Sequence, residues 1–344
     1  MRSCRQGGAA SQKSCGELFE EMTVSVMITT KNRAADLQRT CRVLRTLNPA
    51  PLEILVTADG CTDDTIEMLK ANALEMEDGR GKTEEGSQKA EVGGQTISNV
   101  EMLENRSQKL GSGTLRLFVN EVGQGSVASR DRMMREARGD LVLALDDDSY
   151  PEQPECLALI TVLFEQNPKL AIVHFPQRTD EYPETLTQTD FGPPRLTRSF
   201  ANSGAMLRRS IYLQLPGFET AFFHMYEEPD YALQCVAAGY EVLFTPVVAI
   251  RHHYSGASRN EMRNHHRHSR NECWSTVMRC PMPQMPMLVL YRVLSQLFYA
   301  CKRGPQWVFR EPVWWWQALG GIKYCLQKRR PISWRKYREW LKLT

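Results

Sequence analysis

The chain has 344 residues, of which 42% are hydrophobic and 24% charged, with a net charge of +3. This composition argues for a soluble globular protein of one large domain or two smaller ones, and it gives no ground for nucleic-acid binding. Ten cysteines without a CxxC pair exclude a disulfide framework or a structural zinc site and read as reduced thiols, so a cytoplasmic location is expected.

Residues 1–21 are polar and lack the apolar core of a secretory signal, and Met22 immediately precedes the patterned sequence, so they are expected to be an unstructured extension. Five β-rich runs follow, at 23–29, 52–57, 115–120, 141–145 and 170–175, alternating with helical patterns. That alternation predicts βαβ units and a mainly parallel, Rossmann-like sheet flanked by helices. Between the first two runs, Leu37, Cys41 and Leu44 recur at helical spacing, with Asn32 placed to cap the helix. A second crossover helix is expected near Thr62 with Asp63 and Asp64 in its first turn, and a third over 126–138 ending at a left-handed Gly139. The stretch from 75 to 113, rich in Gly, Glu, Gln and Ser, is too long for a simple crossover. It predicts an insertion outside the sheet, with a short helix near 99–108.

The fourth run ends in Asp146, Asp147 and Asp148. At an effective dielectric of about 20 and separations of about 6 Å, each like-charge pair costs about 3 kcal/mol. Such a cluster calls for a cation, either a divalent metal ion or a ring of Arg and Lys. A solvated loop or helix cap ahead of Pro151 is the plainer alternative. In extended chain Asp146 and Asp148 share a face and Asp147 points away, so the outer pair suits one hard cation such as Mg²⁺ or Mn²⁺. Ligands of an open parallel sheet bind beyond the carboxyl ends of its strands. There the first run delivers Thr30, Lys31, Asn32 and Arg33, and the second Asp59 and Gly60.

Four ordered blocks then carry a resemblance: 23–47, 52–65, 120–148 and 202–242. Together they resemble family 2 glycosyltransferases, whose fold is the nucleotide-sugar-binding type GT-A. Departures include Ala58 and Cys61 in place of Asp and Ser of the usual DDGS, Asp131 where Asn is common, and Glu227-Glu228 for Glu-Asp. The resemblance implies a metal-dependent, inverting transfer from a UDP, dTDP or GDP sugar to a hydroxyl of a glycan or lipid-linked acceptor, such as a cell-envelope or polysaccharide precursor. It implies that Asp148 is the metal ligand, with Asp146 on the ribose or a metal-bound water and Asp147 in a lesser binding role. It also implies that Asp59 and residues 30–33 hold the nucleoside. Arg130 is expected on phosphate or on the carboxylates, His252 or else His253 near metal or diphosphate, and Glu228 or else Glu227 as the base. Glu227 and Glu228 precede Pro229, which suits a first helical position, and helix-dipole complementation is their structural explanation. Arg270 and Asn271 resemble a family feature of the following helix. The competing readings are a non-catalytic nucleotide-sugar sensor and, on weaker grounds, a phosphohydrolase.

The chain thus divides on paper into a catalytic domain over 22–270 and a helical region over 271–344. In that region Trp307, Trp314, Trp315, Trp316, Trp334 and Trp340 alternate with Lys and Arg. The pattern suits either peripheral contact with the inner face of a membrane or a helical hairpin packed on the catalytic domain with its charges in water. No window reaches the roughly 18 uninterrupted apolar residues of a membrane span.

Overall fold

The computed structural model describes residues 22–74, 107–110, 113–254 and 260–344. In chain order its strands are β1 (Val24–Thr30), β2 (Glu53–Asp59), β3 (Ser107–Leu110), β4 (Gly113–Asn120), β5 (Leu141–Asp146), β6 (Ser149–Pro151), β7 (Leu170–His174), β8 (Gln177–Thr179), β9 (Arg195–Leu196), β10 (Ala205–Arg208), β11 (Glu241–Phe244) and β12 (Ile250–His252). The helices are α1 (Ala34–Leu44), α2 (Thr65–Leu74), α3 (Ser126–Glu136), α4 (Cys156–Gln166), α5 (Arg209–Gln214), α6 (Glu227–Ala238), α7 (Glu261–Arg279), α8 (Gln284–Arg303), α9 (Pro305–Gly320), α10 (Ile322–Gln327) and α11 (Trp334–Leu341).

Nine strands form one sheet in the order β3-β4-β2-β1-β5-β10-β7-β11-β9. The alternating side chains of its central strands are buried on both faces, which is why these segments read as nearly continuous apolar runs. Met27, Leu55, Val142 and Ala144 pack against α3, α6 and α7 on one side. Val26, Ile28, Val56, Leu143 and Leu145 pack against α1 and α4 on the other. β4, β2, β1 and β5 are parallel, as expected. Beyond β5 the sheet becomes mixed, because β10 runs antiparallel to both β5 and β7. The chain winds outward from β1 through β2 to β4 and then returns to β5, so the switch point opens between β1 and β5 at their carboxyl ends. There Thr30 lies level with Ala58, Thr29 with Asp146, and Asp59 with Asn120.

Several local expectations are corrected. Arg33, not Asn32, is the residue before α1, and it makes no side-chain cap. Asn32 instead sits at φ 54° and ties two loops together. Asp63 and Asp64 precede α2, with Asp63 accepting from the Thr65 amide at 3.2 Å. α3 stops at Glu136, and Gly139 is not left-handed: its place is set by Ser25, whose amide nitrogen would lie 2.6 Å from an added Cβ. Most of the expected insertion, including 99–106, lies outside the described residues. Its described part, β3, pairs antiparallel with β4 and so belongs to the sheet edge, and 107–108 are strand instead of helix.

A second, three-stranded sheet, β6-β12-β8, sets His252 opposite Ser149. The C-terminal helices share the main core: Trp274, Val277, Met278 and Cys325 pack with Tyr226 and Tyr231. α7 runs unbroken through residue 270. The tryptophans divide, with Trp314 and Trp340 buried and Trp316 exposed. Cysteines among the described residues are free thiols.

Candidate active site

The carboxyl ends of β1, β2 and β5 border a cleft of about 900 Å³ whose walls include Thr30, Lys31, Asn32, Arg33, Asp59 and Asp147. A smaller cavity of about 370 Å³ shares Arg33, Ser126, Asp147, His224, Arg263 and Arg267 with it and adds Arg130, Asp146, Asn202, Glu227 and Glu228. The sequence-derived candidates therefore converge, Asp148 and His252 lying behind Asp146 and Asp147.

On the β2 side, Gly60 has φ +69°, and a Cβ there would stand 2.7 Å from the Gly123 amide nitrogen, so glycine is required. Asp59 is held by others more than by its own turn. It accepts from the Asn120 amide and the backbone amides of Gln124 and Gly125, each at 2.8 Å. A carboxylate offers about four acceptor sites, so three internal donors leave little capacity for a ligand. Asn32 donates to Thr62 Oγ1 at 3.0 Å and accepts from the Thr62 amide at 2.7 Å, locking the β1 loop to the β2 loop.

The three aspartates span the end of β5 and the turn that leads into β6. Asp147 faces Thr30, whose hydroxyl donates to it at 2.8 Å, and Arg33 at 3.1 Å. Burial, with Asp148 and Asp146 adding repulsion, pushes its carboxyl up to about 7 against the pull of Arg33. Asp148 takes Arg33 on one oxygen at 2.7 Å and faces His252 Nε2 with the other at 3.2 Å. Burial opposes its charge, yet His252 and Arg33 hold it below the usual carboxylate range. Asp146 meets Arg130 at 2.5 Å. Arg130 is buried, which disfavours its charge, but Asp146, Glu227 and Glu228 outweigh that, and it also reaches Glu227 at 3.2 Å. Arginine thus neutralises much of the acidic cluster.

A metal nonetheless fits. Asp146, Asp148 and His252 offer ligand atoms within 4.8 Å of one another. Asp148 Oδ1 is buried and faces His252 Nε2 at 3.2 Å, so the two ligand atoms already stand side by side. Two carboxylates and one imidazole form an oxygen-rich set suited to Mn²⁺ or Mg²⁺.

Glu227 and Glu228 are delivered by an unusual turn. Phe223, Met225 and Tyr226 all have positive φ, 67°, 75° and 72°, a conformation that side chains with a Cβ rarely adopt. The turn persists because α7 holds it. The buried Asn271 amide lies within donating distance of the carbonyl oxygens of Phe222, His224 and Met225, at 3.1, 3.0 and 2.7 Å, and Arg270 donates to Phe222 O at 2.9 Å. Glu227 occupies the first helical position, so Pro229 is third, two places later than expected. Asp230 is a structural anchor: Arg279 reaches both its oxygens, at 3.1 and 3.0 Å, and Ser275 donates at 2.7 Å. Burial raises the pKa of Glu227 despite Arg130. Burial and the neighbouring Glu227 push Glu228 up to about 8, against Arg130.

Sequence reasoning missed Gly125, Ser126, Asn202, Phe223, His224, Arg263 and Arg267, all of which line one or both cavities. The tract 254–271, dense in His and Arg, was the available signal for the two arginines. Nothing local marks Gly125, whose Cβ would fall 2.2 Å from Phe223 O.

Comparison with known proteins agrees with this geometry. Residues 93–233 match the family model described as Glycosyl transferase family 2. An uncharacterized glycosyltransferase of Haemophilus influenzae is 28% identical over 137 residues, covering 37% of this chain and 45% of its own length, so the chain spans less than half of that relative. Among solved structures, S. aureus TarS 1-349 in complex with UDP-GlcNAc aligns with a TM-score of 0.55 at 13% identity, over 89% of this chain and 82% of that one. Mannosyltransferase PcManGT from Pyrobaculum calidifontis, in complex with GDP-Man and Mn²⁺, aligns with a TM-score of 0.52 at 15% identity, over 89% and 88%. The central sheet and its switch-point cleft are those of the GT-A fold seen in these structures, and residues 93–233 resemble glycosyltransferase family 2.

Proposed function

We propose that this chain moves a sugar from a nucleoside diphosphate sugar to a hydroxyl of a glycan or lipid-linked acceptor, with inversion, as one step in building a polysaccharide or cell-envelope precursor. One observation carries the reading: two carboxylate stations, Asp146 with Asp148 behind it and Glu227 with Glu228, meet at one cavity that joins the larger cleft, and Arg130 bridges Asp146 to Glu227.

Asp146, Asp148 and His252 would hold Mg²⁺ or Mn²⁺, which when bound neutralises charge gathering on the departing diphosphate. The remaining steps belong to the chain. Thr30, Lys31, Asn32 and Arg33 form the wall for the nucleoside, and Asp59 sets the shape of that wall through the 120–125 loop. Arg263 and Arg267 stand at the junction of the cavities, where anionic groups of the donor pass. Glu228 takes the proton of the attacking hydroxyl, whose oxygen bonds to the anomeric carbon as the bond from that carbon to the diphosphate breaks. Its raised pKa makes it a stronger base than an exposed glutamate. A single displacement needs no covalent nucleophile.

A panel of UDP, dTDP and GDP, with and without Mn²⁺ or Mg²⁺, tests the donor side by thermal shift. At saturation the matching nucleotide with metal should raise the Tm by roughly 3–8 °C. No response of the folded protein to any nucleotide would sink the proposal. Binding without sugar release to any hydroxyl acceptor would leave the sensor reading in its place.

A further inference from the structure

We propose that the outward face of α8 and α9 is a docking surface for an anionic lipid bilayer, on which the protein lies without spanning it. On α8 the exposed side chains Met287, Leu290, Tyr291, Leu294 and Phe298 follow one helical stripe, and only Ala300 of this 20-residue helix is fully buried. On α9, Phe309, Val313, Trp316 and Leu319 continue the pattern, Phe309 being 84% exposed and Trp316 74%. Both helices pack on α7 and on each other. Their outward faces therefore lie together on the side away from α7, as a contiguous apolar patch of the kind that marks an interaction surface.

Charge identifies the occupant. Between Pro281 and Pro331 the sequence holds one acidic residue, Glu311. It is buried, with its oxygens engaged by His265 at 2.7 Å and Trp314 at 2.8 Å. Lys302, Arg303 and Arg310 on the two helices are exposed. The two helices are therefore apolar and positive outward with no exposed carboxylate of their own, the nearest being Glu261 of α7 paired with Arg303, which complements anionic headgroups. A second copy of the chain would set like charges against one another. No helix among the described residues is long and apolar enough to cross a membrane. In α8 the interrupting Arg292 turns inward to Glu272 at 3.0 Å, which leaves the stripe free of buried charge.

The placement has a functional sense. α8 ends beside the start of α7, where Arg303 pairs with Glu261, and the next turns of α7 carry Arg263 and Arg267 into the cavities. A bilayer against α8 and α9 would lie one helix away from the cleft, within reach of an acceptor hydroxyl on a lipid carrier. The docking itself does not depend on the proposed reaction.

Co-sedimentation of the full chain with phosphatidylcholine vesicles, with and without phosphatidylglycerol, tests the proposal. Expected are binding to the anionic vesicles, weakening as salt rises, and a loss of apparent affinity on the order of tenfold in the double variant Phe298→Ser with Trp316→Ser. Because both positions are exposed, its Tm should stay at the wild-type value. Leu159→Ser, an exposed apolar site on α4, should bind as wild type. Absence of sedimentation with anionic vesicles, or equal binding by the double variant, would overturn the inference. So would a dimer, seen by light scattering, that the double variant abolishes while vesicle binding is absent.

Discussion

The two carboxylate stations are built in opposite ways. Asp146 closes β5 and Asp147 and Asp148 form the tight turn into β6, so three residues contiguous in sequence are placed by one short connection, with the Asp146 amide donating to Ser149 Oγ at 2.8 Å. At the start of α6, Glu227 and Glu228 depend on three left-handed residues with side chains, 223, 225 and 226, and on an asparagine 46 residues beyond Met225. The first station is positioned by a local turn between two successive strands. The second is positioned by tertiary contacts that hold an otherwise unfavourable turn, so it should respond to changes made far from its own sequence.

Predictions that break or sharpen this contrast can be ordered by size. Glu228→Gln should lower transfer by about 10³-fold, within the range for a lost general base, while the nucleotide-induced Tm shift stays intact. Loss of that shift would place Glu228 with the donor instead. Asp148→Asn should lower transfer by about 10²-fold and remove the metal-dependent part of the shift, as measured by titrating Mn²⁺ at fixed nucleotide.

The pH profile comes next. A base must be deprotonated, and burial with Glu227 pushes Glu228 up to about 8. Transfer should therefore fall as pH drops through that region, by about tenfold per unit below it, well above where an exposed glutamate would act. A profile flat from pH 9 to 6 would remove Glu228 from the base role. Asn271→Ala leaves the carbonyls of Phe222, His224 and Met225 without their shared donor, at a stability cost of about 1–3 kcal/mol. Transfer should fall about tenfold or more, with donor binding nearly unchanged. Equal losses in both would make Asn271 a global stabiliser only. Smallest, Gly60→Ala should cost about 1–2 kcal/mol in thermal unfolding, because its left-handed backbone leaves no room for a Cβ.

The legibility of the molecule follows the same line. The parallel strands were readable because burial on both faces demands uninterrupted apolar runs, and their carboxyl ends then gathered 30–33, 59–60 and 146–148 at one edge. The mixed pairing beyond β5 was not readable, since β9 and β10 are short and their direction is set by neighbours far away in sequence. Asn32 looked like a cap because Asn before an apolar pattern commonly is one, yet its partner Thr62 lies 30 residues away. Asp59 was legible as a polar loop residue but not as the holder of the 120–125 backbone. Asn271 was noticed by family likeness alone; its task is defined only by three carbonyls that helical periodicity cannot reveal.

The position of that asparagine bears on how the protein is made. Every carboxylate of both stations has left the ribosome before residue 271 is added, but the group that fastens the second station has not. A growing chain thus holds all the acidic groups of its site while half of them lack a fixed posture, and the site reaches its working shape only after residue 271 has joined them.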